Sequence, residues 1–254
     1  MTVLLELKGV SKSFGGVQAV ENMSLKLEKG ELTGLIGPNG AGKTTVFNLI
    51  TAVYDVTKGD IEYKGININK LKTYQVVSLG IARTFQNLRL FSGSSVLENV
   101  MSAAQQSHKY SFCEAITHLG RWNKFEKKIQ DESMQLLERV GLADRAHQRA
   151  ATLPYGLQRR LEIARACSLR PELLLLDEPA AGMNSEEVEQ LNILIQDIHK
   201  DYNLTILLIE HHMDMVMEIC PHIICMNFGA KIAEGSPECI QSHPEVLKAY
   251  LGEE

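Results

Sequence analysis

The sequence predicts an α/β fold, in which helices cover a mostly parallel buried sheet, with antiparallel strands at the N-terminus and a helical insertion midway. Three observations support this prediction. Continuous apolar runs, "ELLLLDEP" and "NLTILLIEHH", are typical of strands that are buried on both faces. Helical patterns lie next to these runs, which is the alternation expected of a parallel sheet. From about residue 88 to 150 the pattern becomes polar and helical, which indicates a second lobe.

The individual elements follow from local patterns along the chain. Short alternating runs broken by glycine and asparagine precede "LTGLIG", so antiparallel strands are expected to lead into a buried strand. The stretches "GDIEYKGININ" and "IICMNFGAKIAEGSP" predict hairpins. The stretch "KKIQDESMQLLERVGL" predicts an amphipathic helix that ends at Gly141. Serine and acids open "SEEVEQLNILIQDIHKDY", as expected of a capped helix.

Composition and charge limit the functions that this chain of 254 residues can have. A hydrophobic content of 44% and a charged content of 22% are ordinary for a soluble globular protein. The formal net charge of -5 disfavours general attraction to nucleic acid, so no nucleic-acid partner is expected. No apolar run approaches the ~18 residues of a membrane span, and the first residues do not resemble a secretory signal. The five cysteines form no C-x-x-C pair, which predicts buried thiols in a reducing compartment.

A glycine-rich motif follows the predicted strand "LTGLIG" and opens a helix. The eight residues "GPNGAGKT", from Gly37 to Thr44, match the pattern G-x-x-x-x-G-K-[ST] in full. Glycines let backbone N–H groups surround a chain of phosphates, and the helix N-terminus adds a favourable dipole. We expect Lys43 to reach the β- and γ-phosphates and the Thr44 hydroxyl to bind Mg²⁺. The sequence therefore predicts a P-loop.

Two carboxylates end another predicted buried strand, where a P-loop protein completes its metal site. In "LLLLDEP", Asp177 ends the apolar run and is placed to hold Mg²⁺ directly or through water. Glu178 follows it and can orient and deprotonate an attacking water. The alternative is that both acids only cap the next segment. The complete P-loop favours the catalytic interpretation.

With these motifs in place, the chain resembles the nucleotide-binding subunit of an ATP-binding-cassette (ABC) transporter over almost its whole length. In "VSKSFGG", Phe14 matches the aromatic residue on which adenine stacks. In "RTFQN", Gln86 matches the glutamine that links the metal site to the transmembrane partner, and in "LIEHH", His211 matches the switch histidine that contacts the γ-phosphate. The resemblance implies ATP hydrolysis with Glu178 and His211 as catalytic residues and with ATP and Mg²⁺ as ligands. It implies a nucleotide-binding set of Phe14, Gly37, Pro38, Asn39, Gly40, Ala41, Gly42, Lys43, Thr44 and Thr45, and a metal set of Thr44, Gln86 and Asp177.

The resemblance also implies how the chain is organised. We expect one ABC ATPase domain over residues 1–254, with a P-loop NTPase (RecA-like) core. The core and an antiparallel β subdomain are expected at residues 1–87 and 157–254. A helical subdomain is expected at residues 88–156 and ends in the family's signature loop. Within it, Phe112, Trp122 and Phe125 are expected to cover the lobe's own core, an exposed docking patch being the alternative.

The stretch "LPYGLQ" falls where the family carries its L-S-G-G-Q signature, a loop that closes over the nucleotide of the opposite subunit. Pro154 replaces the serine and Leu157 replaces the glutamine, so we expect backbone groups around Gly156 and the helix dipole to bind the γ-phosphate. The following Arg159 and Arg160 are expected to be solvated, with a carboxylate contact across the dimer as the alternative. The residues expected to act in trans are Leu153, Pro154, Tyr155, Gly156, Leu157 and Gln158.

The sequence departs from the family pattern at two further positions. Asn184 stands where the family carries the aspartate of the loop that crosses this interface. His212 follows the switch histidine where an acid is common. Because Glu178 is present, the resemblance still implies an active ATPase.

Several stretches, among them "GIARTFQNLRLF", "LDEPAAGMN" and the C-terminal "HPEVLKAYLGEE", look most like the branched-chain amino acid import group. That likeness implies a second ATPase subunit, either a paralogue or another copy, two integral membrane permeases and, indirectly, a solute-binding protein. It places the chain peripherally at the cytoplasmic face of the bacterial inner membrane. The alternatives are import of other amino acids, urea or short amides, lipopolysaccharide export, a soluble ATP-driven clamp, and a non-hydrolysing nucleotide sensor.

Overall fold

The computed structural model describes residues 2–107 and 121–251 of the chain. Within these ranges the chain divides into two units, residues 1–83 with 172–254 and residues 84–171. The boundaries expected from the sequence, with the helical part at residues 88–156, stay a prediction. Phe112 lies outside the described residues, as does the side chain of Trp122.

The first unit contains two sheets, and the smaller one is antiparallel. Its strand order is β2-β1-β4-β5. Leu5 and Leu7 of its first strand are almost fully buried, which is the apolar alternation expected from the N-terminal sequence. A register shift after Leu7 precedes the next buried residue, Val10. The strands are β1 (Val3–Phe14), β2 (Val17–Glu28), β4 (Lys58–Tyr63) and β5 (Ile66–Asn67), so the predicted N-terminal strands and the first predicted hairpin are confirmed.

The larger sheet has the order β10-β9-β3-β8-β7-β6, and all its neighbours pair in parallel except β10 with β9. Every residue of the three central strands is buried, as the continuous apolar runs predict. The carboxyl ends of these strands form one edge, which is where ligands bind in open α/β sheets. The strands are β3 (Leu32–Ile36), β6 (Ile81–Arg83), β7 (Leu173–Asp177), β8 (Thr205–Ile209), β9 (His222–Asn227) and β10 (Ala230–Gly235).

Six described helices belong to the first unit. The helix predicted from "SEEVEQ" is present, but its N-cap is Asn184 and not Ser185. The Asn184 side chain accepts from the Glu187 N–H, and the Glu187 carboxylate accepts from the Asn184 N–H, so the two form a capping box. The six helices are α1 (Lys43–Ile50), α2 (Thr73–Ser78), α6 (Ser185–Asp201), α7 (Met213–Ile219), α8 (Pro237–Ser242) and α9 (Pro244–Leu251).

The second unit is built from helices, three of which are described: α3 (Val96–Ser107), α4 (Arg121–Arg139) and α5 (Tyr155–Cys167). Ser95 and Glu98 form a capping box at the start of α3. Buried apolar residues of all three helices, such as Val100, Leu137 and Leu161, supply its core. None of the described helices combines the length and apolar composition needed to cross a bilayer.

Candidate nucleotide-binding site

The loop between β3 and α1 needs glycine at two positions for steric reasons. Gly42, the N-cap of α1, has φ 100°, and a Cβ there would lie 2.4 Å from the Ala19 carbonyl oxygen. Gly37 has φ 147°, and a Cβ there would lie 2.1 Å from the Met226 carbonyl oxygen. The loop therefore packs closely against neighbouring backbone and presents the N-terminus of α1 beyond it.

The Lys43 side chain is folded back on this loop. Its Nζ donates to the carbonyl oxygens of Gly37 at 2.6 Å and Pro38 at 3.0 Å, and the residue is 5% exposed. Burial lowers the pKa of Lys43, while the carboxylates of Glu178 and Asp177 act in the opposite direction. An anionic ligand here would stabilise the charged ammonium, so the site favours an anionic group.

A cavity of about 200 Å³ lies over the loop. Opposite the loop, His211 Nε2 and Glu178 Oε1 are 3.0 Å apart. The Glu178 side chain is 13% exposed and that of His211 is 36% exposed, so both reach the cavity. The structure therefore brings together the predicted loop residues and the two predicted catalytic residues. The cavity is lined by Ala19, residues 39–45, Glu178 and His211.

Glu178 holds a backbone conformation that is uncommon for a residue with a side chain. Its φ is 47°, and its N–H donates to the Ile209 carbonyl oxygen at 2.9 Å. Left-handed conformations at residues other than glycine cost about 1–3 kcal/mol and cluster at functional sites. The end of β7 is thus turned so that Glu178 reaches the cavity.

Asp177 has a partner that the sequence analysis missed. Arg83 Nη2 donates to Asp177 Oδ2 at 2.7 Å, and Arg83 Nη1 donates to Asn48 Oδ1 at 2.7 Å. The side chains of Arg83 and Asp177 are 6% and 3% exposed. The sequence offers one signal for this pair, a charged residue inside the apolar stretch "GIARTF". Because buried charges are paired, such a residue indicates an ion pair in the core.

Glu210 is a second missed residue, and it is 1% exposed. Its Oε1 accepts from the Ala180 N–H at 2.6 Å, and its Oε2 accepts from the His211 N–H at 2.9 Å. His212 Nδ1 lies 3.2 Å from the same Oε2. One buried carboxylate thus holds the backbone after Glu178 and the backbone of the predicted switch histidine. The position of Glu210 directly after the apolar strand β8 is the sequence signal that could have identified it.

Other predicted nucleotide and metal residues of the first unit lie at strand and helix ends. Phe14 ends β1 and is 42% exposed, and its ring lies 5.0 Å from the Tyr54 ring in an edge-on arrangement. Lys12 Nζ lies 5.0 Å from the centre of the Phe14 ring. Phe14 does not line the cavity, whereas Thr44 and Thr45, in the first turn of α1, do.

Gln86 and the predicted signature residues belong to the second unit. Gln86 is exposed, as are Pro154 and Tyr155, whereas Leu153 and Gly156 are buried. Pro154 is the N-cap of α5 and provides no side-chain hydrogen bond, so the departure noted in the sequence leaves this helix start without a side-chain cap. Gln158 Nε2 donates to the Leu153 carbonyl oxygen at 2.8 Å and fixes the loop to its own helix. Leu157 is half-buried.

The expectation that Arg159 is solvated is wrong. The residue is fully buried, and its guanidinium pairs with Glu162 at 2.7 Å. Arg160 is half-buried. A buried arginine is tolerated here because carbonyl oxygens and a carboxylate accept from it.

The strand, glycine-rich loop and helix define a P-loop nucleotide-binding protein, and comparisons with known proteins give its family. Residues 20–181 match the model of the ABC transporter family, and residues 230–254 match that of the branched-chain amino acid ATP-binding cassette transporter. The chain belongs to the ABC transporter family and is an ABC-type ATPase.

Two relatives are named as high-affinity branched-chain amino acid transport ATP-binding proteins, BraF of Pseudomonas aeruginosa and LivG of Escherichia coli K12. Each is 43% identical to this chain over 250 residues, which is 98% of both chains. The ADP conformation of MJ1267, an ATP-binding cassette of an ABC transporter, superposes with a TM-score of 0.86 at 28% identity and full coverage of both chains. A dimeric cassette bound to ADP and phosphate, MJ0796, has the same fold, with a TM-score of 0.79 at 23% identity over 92% of this chain and 99% of that one.

Proposed function

We propose that the chain is the ATP-hydrolysing motor subunit of an importer for branched-chain amino acids. The supporting observation is near-complete coverage of relatives that carry this name, together with the match of residues 230–254 to the corresponding C-terminal model. The proposal places the chain at the cytoplasmic face of the membrane. There it works with two permeases, a second ATPase subunit and, indirectly, a solute-binding protein.

In the proposed reaction the loop residues 37–45 bind the phosphates of ATP, and Phe14 stacks on adenine. Glu178 accepts the proton of the attacking water, and His211, at 3.0 Å from it, contacts the γ-phosphate and holds Glu178 in place. Lys43 exchanges its bonds to the Gly37 and Pro38 carbonyls for phosphate oxygens.

Mg²⁺ suits the oxygen atoms that this chain provides. A threonine hydroxyl, a carboxylate and an amide oxygen, from Thr44, Asp177 and Gln86, are ligands that this hard cation accepts directly or through water. When bound, the ion neutralises charge that develops on the phosphate oxygens. For Asp177 to bind it, the contact with Arg83 must be shared or exchanged.

The signature residues are proposed to act on the partner subunit's nucleotide. Backbone N–H groups at the start of α5 and the helix dipole would bind the γ-phosphate, because Pro154 supplies neither a hydroxyl nor an N–H. Asn184 would lie at the interface of the two subunits. ATP then favours the paired state because it contacts both subunits only in that state.

The test is Glu178→Gln in the complete transporter. We expect MgATP binding to persist, the two ATPase subunits to remain associated, and turnover to fall by about 10²-fold or more, as for removal of a general base. Glu172→Gln is the matched control, because Glu172 is a surface partner of Lys29 and Lys64. Normal turnover in Glu178→Gln would refute the assigned base.

The cargo is tested separately in liposomes that contain the permeases, both ATPase subunits and the solute-binding protein. Leucine, isoleucine or valine is expected to stimulate ATP hydrolysis and to accumulate inside. Stimulation by urea or a short amide alone would contradict the proposed cargo and leave the motor assignment intact. ATP hydrolysis that never responds to any cargo, with no association with permeases, would contradict the transport role itself.

A further inference from the structure

We propose that Arg159 and Glu162 are positioning residues that clamp residues 85–89, the segment that carries Gln86, onto helix α5. This inference rests on the proposed function, because that function gives Gln86 and the signature loop their roles. All the contacts involved lie within the second unit.

Arg159 reaches the segment through both terminal nitrogens. Nη1 donates to the Phe85 carbonyl oxygen at 2.7 Å, and Nη2 donates to the Gln86 carbonyl oxygen at 2.9 Å. Nη2 also donates to the Tyr155 hydroxyl at 2.9 Å. One fully buried guanidinium therefore joins the backbone at Gln86 to the first residue of α5, within the signature loop.

Glu162 completes the clamp from the next turn of the same helix. Its Oε2 accepts from Arg159 Nη1 at 2.7 Å, and its Oε1 accepts from the Phe85 N–H at 3.2 Å. The N–H and the C=O of Phe85 are therefore both bonded to side chains of α5. Burial raises the pKa of Glu162, while the charge of Arg159 and the Phe85 N–H act in the opposite direction.

Contacts further along α5 extend the clamp to the rest of the segment. Arg165 donates through Nη1 to the Arg89 carbonyl oxygen, and its guanidinium lies 4.6 Å from the centre of the Phe91 ring. The Arg89 guanidinium in turn lies 4.1 Å from the centre of the Phe85 ring. Residues 159, 162 and 165 are spaced by three, so each is a neighbour of the next on the surface of the helix.

A helix can pack on its neighbours through apolar side chains alone, so these charged contacts are not needed for packing. A buried ion pair contributes little net stability compared with apolar side chains of similar volume, because both charges must be desolvated. Residues 85–89 belong to no β-strand or helix, so their backbone groups lack regular hydrogen-bond partners. The ion pair fixes the positions of these groups. The segment and the signature loop are therefore held as one body, so Gln86 and the start of α5 move together.

The test uses the double variant Arg159→Met/Glu162→Leu in the complete transporter. Apolar replacement of both partners avoids leaving a buried unpaired charge. The control is Arg170→Gln/Glu132→Gln, which removes an ion pair from the same unit and does not touch residues 85–89. Thermal unfolding establishes that each variant is folded. If the double variant does not fold, the single variants Arg159→Lys and Glu162→Gln are measured in its place.

Two readouts are expected to change in the double variant and not in the control. Amides of residues 85–91 exchange hydrogen about tenfold faster, while those of residues 173–177 are unchanged. Cargo-stimulated turnover falls by about tenfold to a hundredfold, with KM for ATP unchanged, because a displaced positioning group affects the reacting geometry. Arg159→Lys keeps the charge and loses the planar fork of donors. We therefore expect its turnover to be nearly as low as that of the double variant.

Unchanged exchange in residues 85–91 would show that the pair does not hold the segment. Faster exchange with normal stimulated turnover would show that it holds the segment without positioning Gln86. An inactive unmodified transporter would refute the proposed function instead, and the exchange measurement would still decide whether the clamp exists.

Discussion

Arg83 and Asp177 form an ion pair of 2.7 Å at the carboxyl edge of the parallel sheet, and both side chains are almost fully buried. The pairing of β6 with β7 places Arg83 opposite Leu175, two residues before Asp177. Because Arg83 also donates to Asn48 on α1, the guanidinium connects the helix that follows the P-loop to the predicted metal ligand. It thus fixes the position of the Asp177 carboxylate relative to α1.

We predict that Arg83→Met destabilises the protein by about 3–5 kcal/mol, because it removes the cationic half of a buried ion pair and leaves the Asp177 carboxylate in its buried position. Urea unfolding, measured as free energy of unfolding, checks this. Lys8→Met, which removes a half-exposed partner of Glu6 and Glu62, is the control and should cost less than about 1 kcal/mol. Equal losses in the two variants would show that the buried pair has no special role.

We predict that Glu210→Gln lowers turnover by about tenfold or more while ATP binding is kept. The amide that replaces a carboxylate oxygen is a donor, and it would face the N–H of Ala180 or of His211, so one of these segments loses its anchor. Steady-state kcat and equilibrium ATP binding separate the two effects. Glu234→Gln removes a different glutamate–histidine contact, at 2.9 Å from His222, and should leave both unchanged. A normal kcat in Glu210→Gln would refute the positioning role.

We predict that Asn184→Ala lowers the free energy of unfolding by about 1 kcal/mol, because α6 loses the cap that bonds the Glu187 N–H. Asn184→Asp, which keeps the cap, should retain normal stability. Thermal unfolding measures both variants. If Asn184→Ala loses turnover while Asn184→Asp keeps it, the capping box accounts for the effect of this position on turnover. Lost turnover in Asn184→Asp at normal stability would show that the amide has a role in turnover beyond the helix cap, as the proposed interface position requires.

We predict that an alkylating reagent at pH 8 modifies Cys239, which is exposed, well before three buried cysteines. Burial raises the pKa of Cys167 and Cys220 to about 12 and that of Cys225 to about 11, so each is almost entirely in the unreactive thiol form. Peptide mass mapping after timed labelling measures the rates, and guanidinium-unfolded protein is the control. Labelling of all four at similar rates in the native protein would contradict the described burial.

The sequence predicts the P-loop well because its geometry is local. Consecutive residues from Gly37 to Thr44 determine the turn, and the strand before them is recognisable from its apolar run. The succession of strands and helices along the chain follows from period and length in the same way. Contacts of long sequence separation carry no such signal, and Arg83 to Asp177 spans 94 residues. A single sequence marks Arg83 only as a charge in an apolar stretch.

Arg159 shows why one expectation from the sequence, the exposure of this side chain, is wrong. Arginine is almost never fully buried unless it is paired, so exposure was the reasonable expectation for a helix start. Its partner Glu162 is three residues away and visible in the sequence, but the Phe85 and Gln86 carbonyls lie 74 and 73 residues away. Only the folded chain shows that these acceptors meet at α5.

The last prediction concerns Pro154, the N-cap of α5. Pro154→Ser should leave the free energy of unfolding within about 1 kcal/mol of normal. A serine cap stabilises the helix by about that amount, and the loss of proline makes the unfolded chain more flexible.

In the complete transporter the same change should raise turnover, because a hydroxyl at this position adds a donor to the phosphate of the partner subunit's ATP. Pro154→Ala, which lacks the hydroxyl, is the matched control. Equal turnover in the serine and alanine variants would show that the backbone alone supplies the contact, and lower turnover in both would show that the proline ring itself shapes the loop.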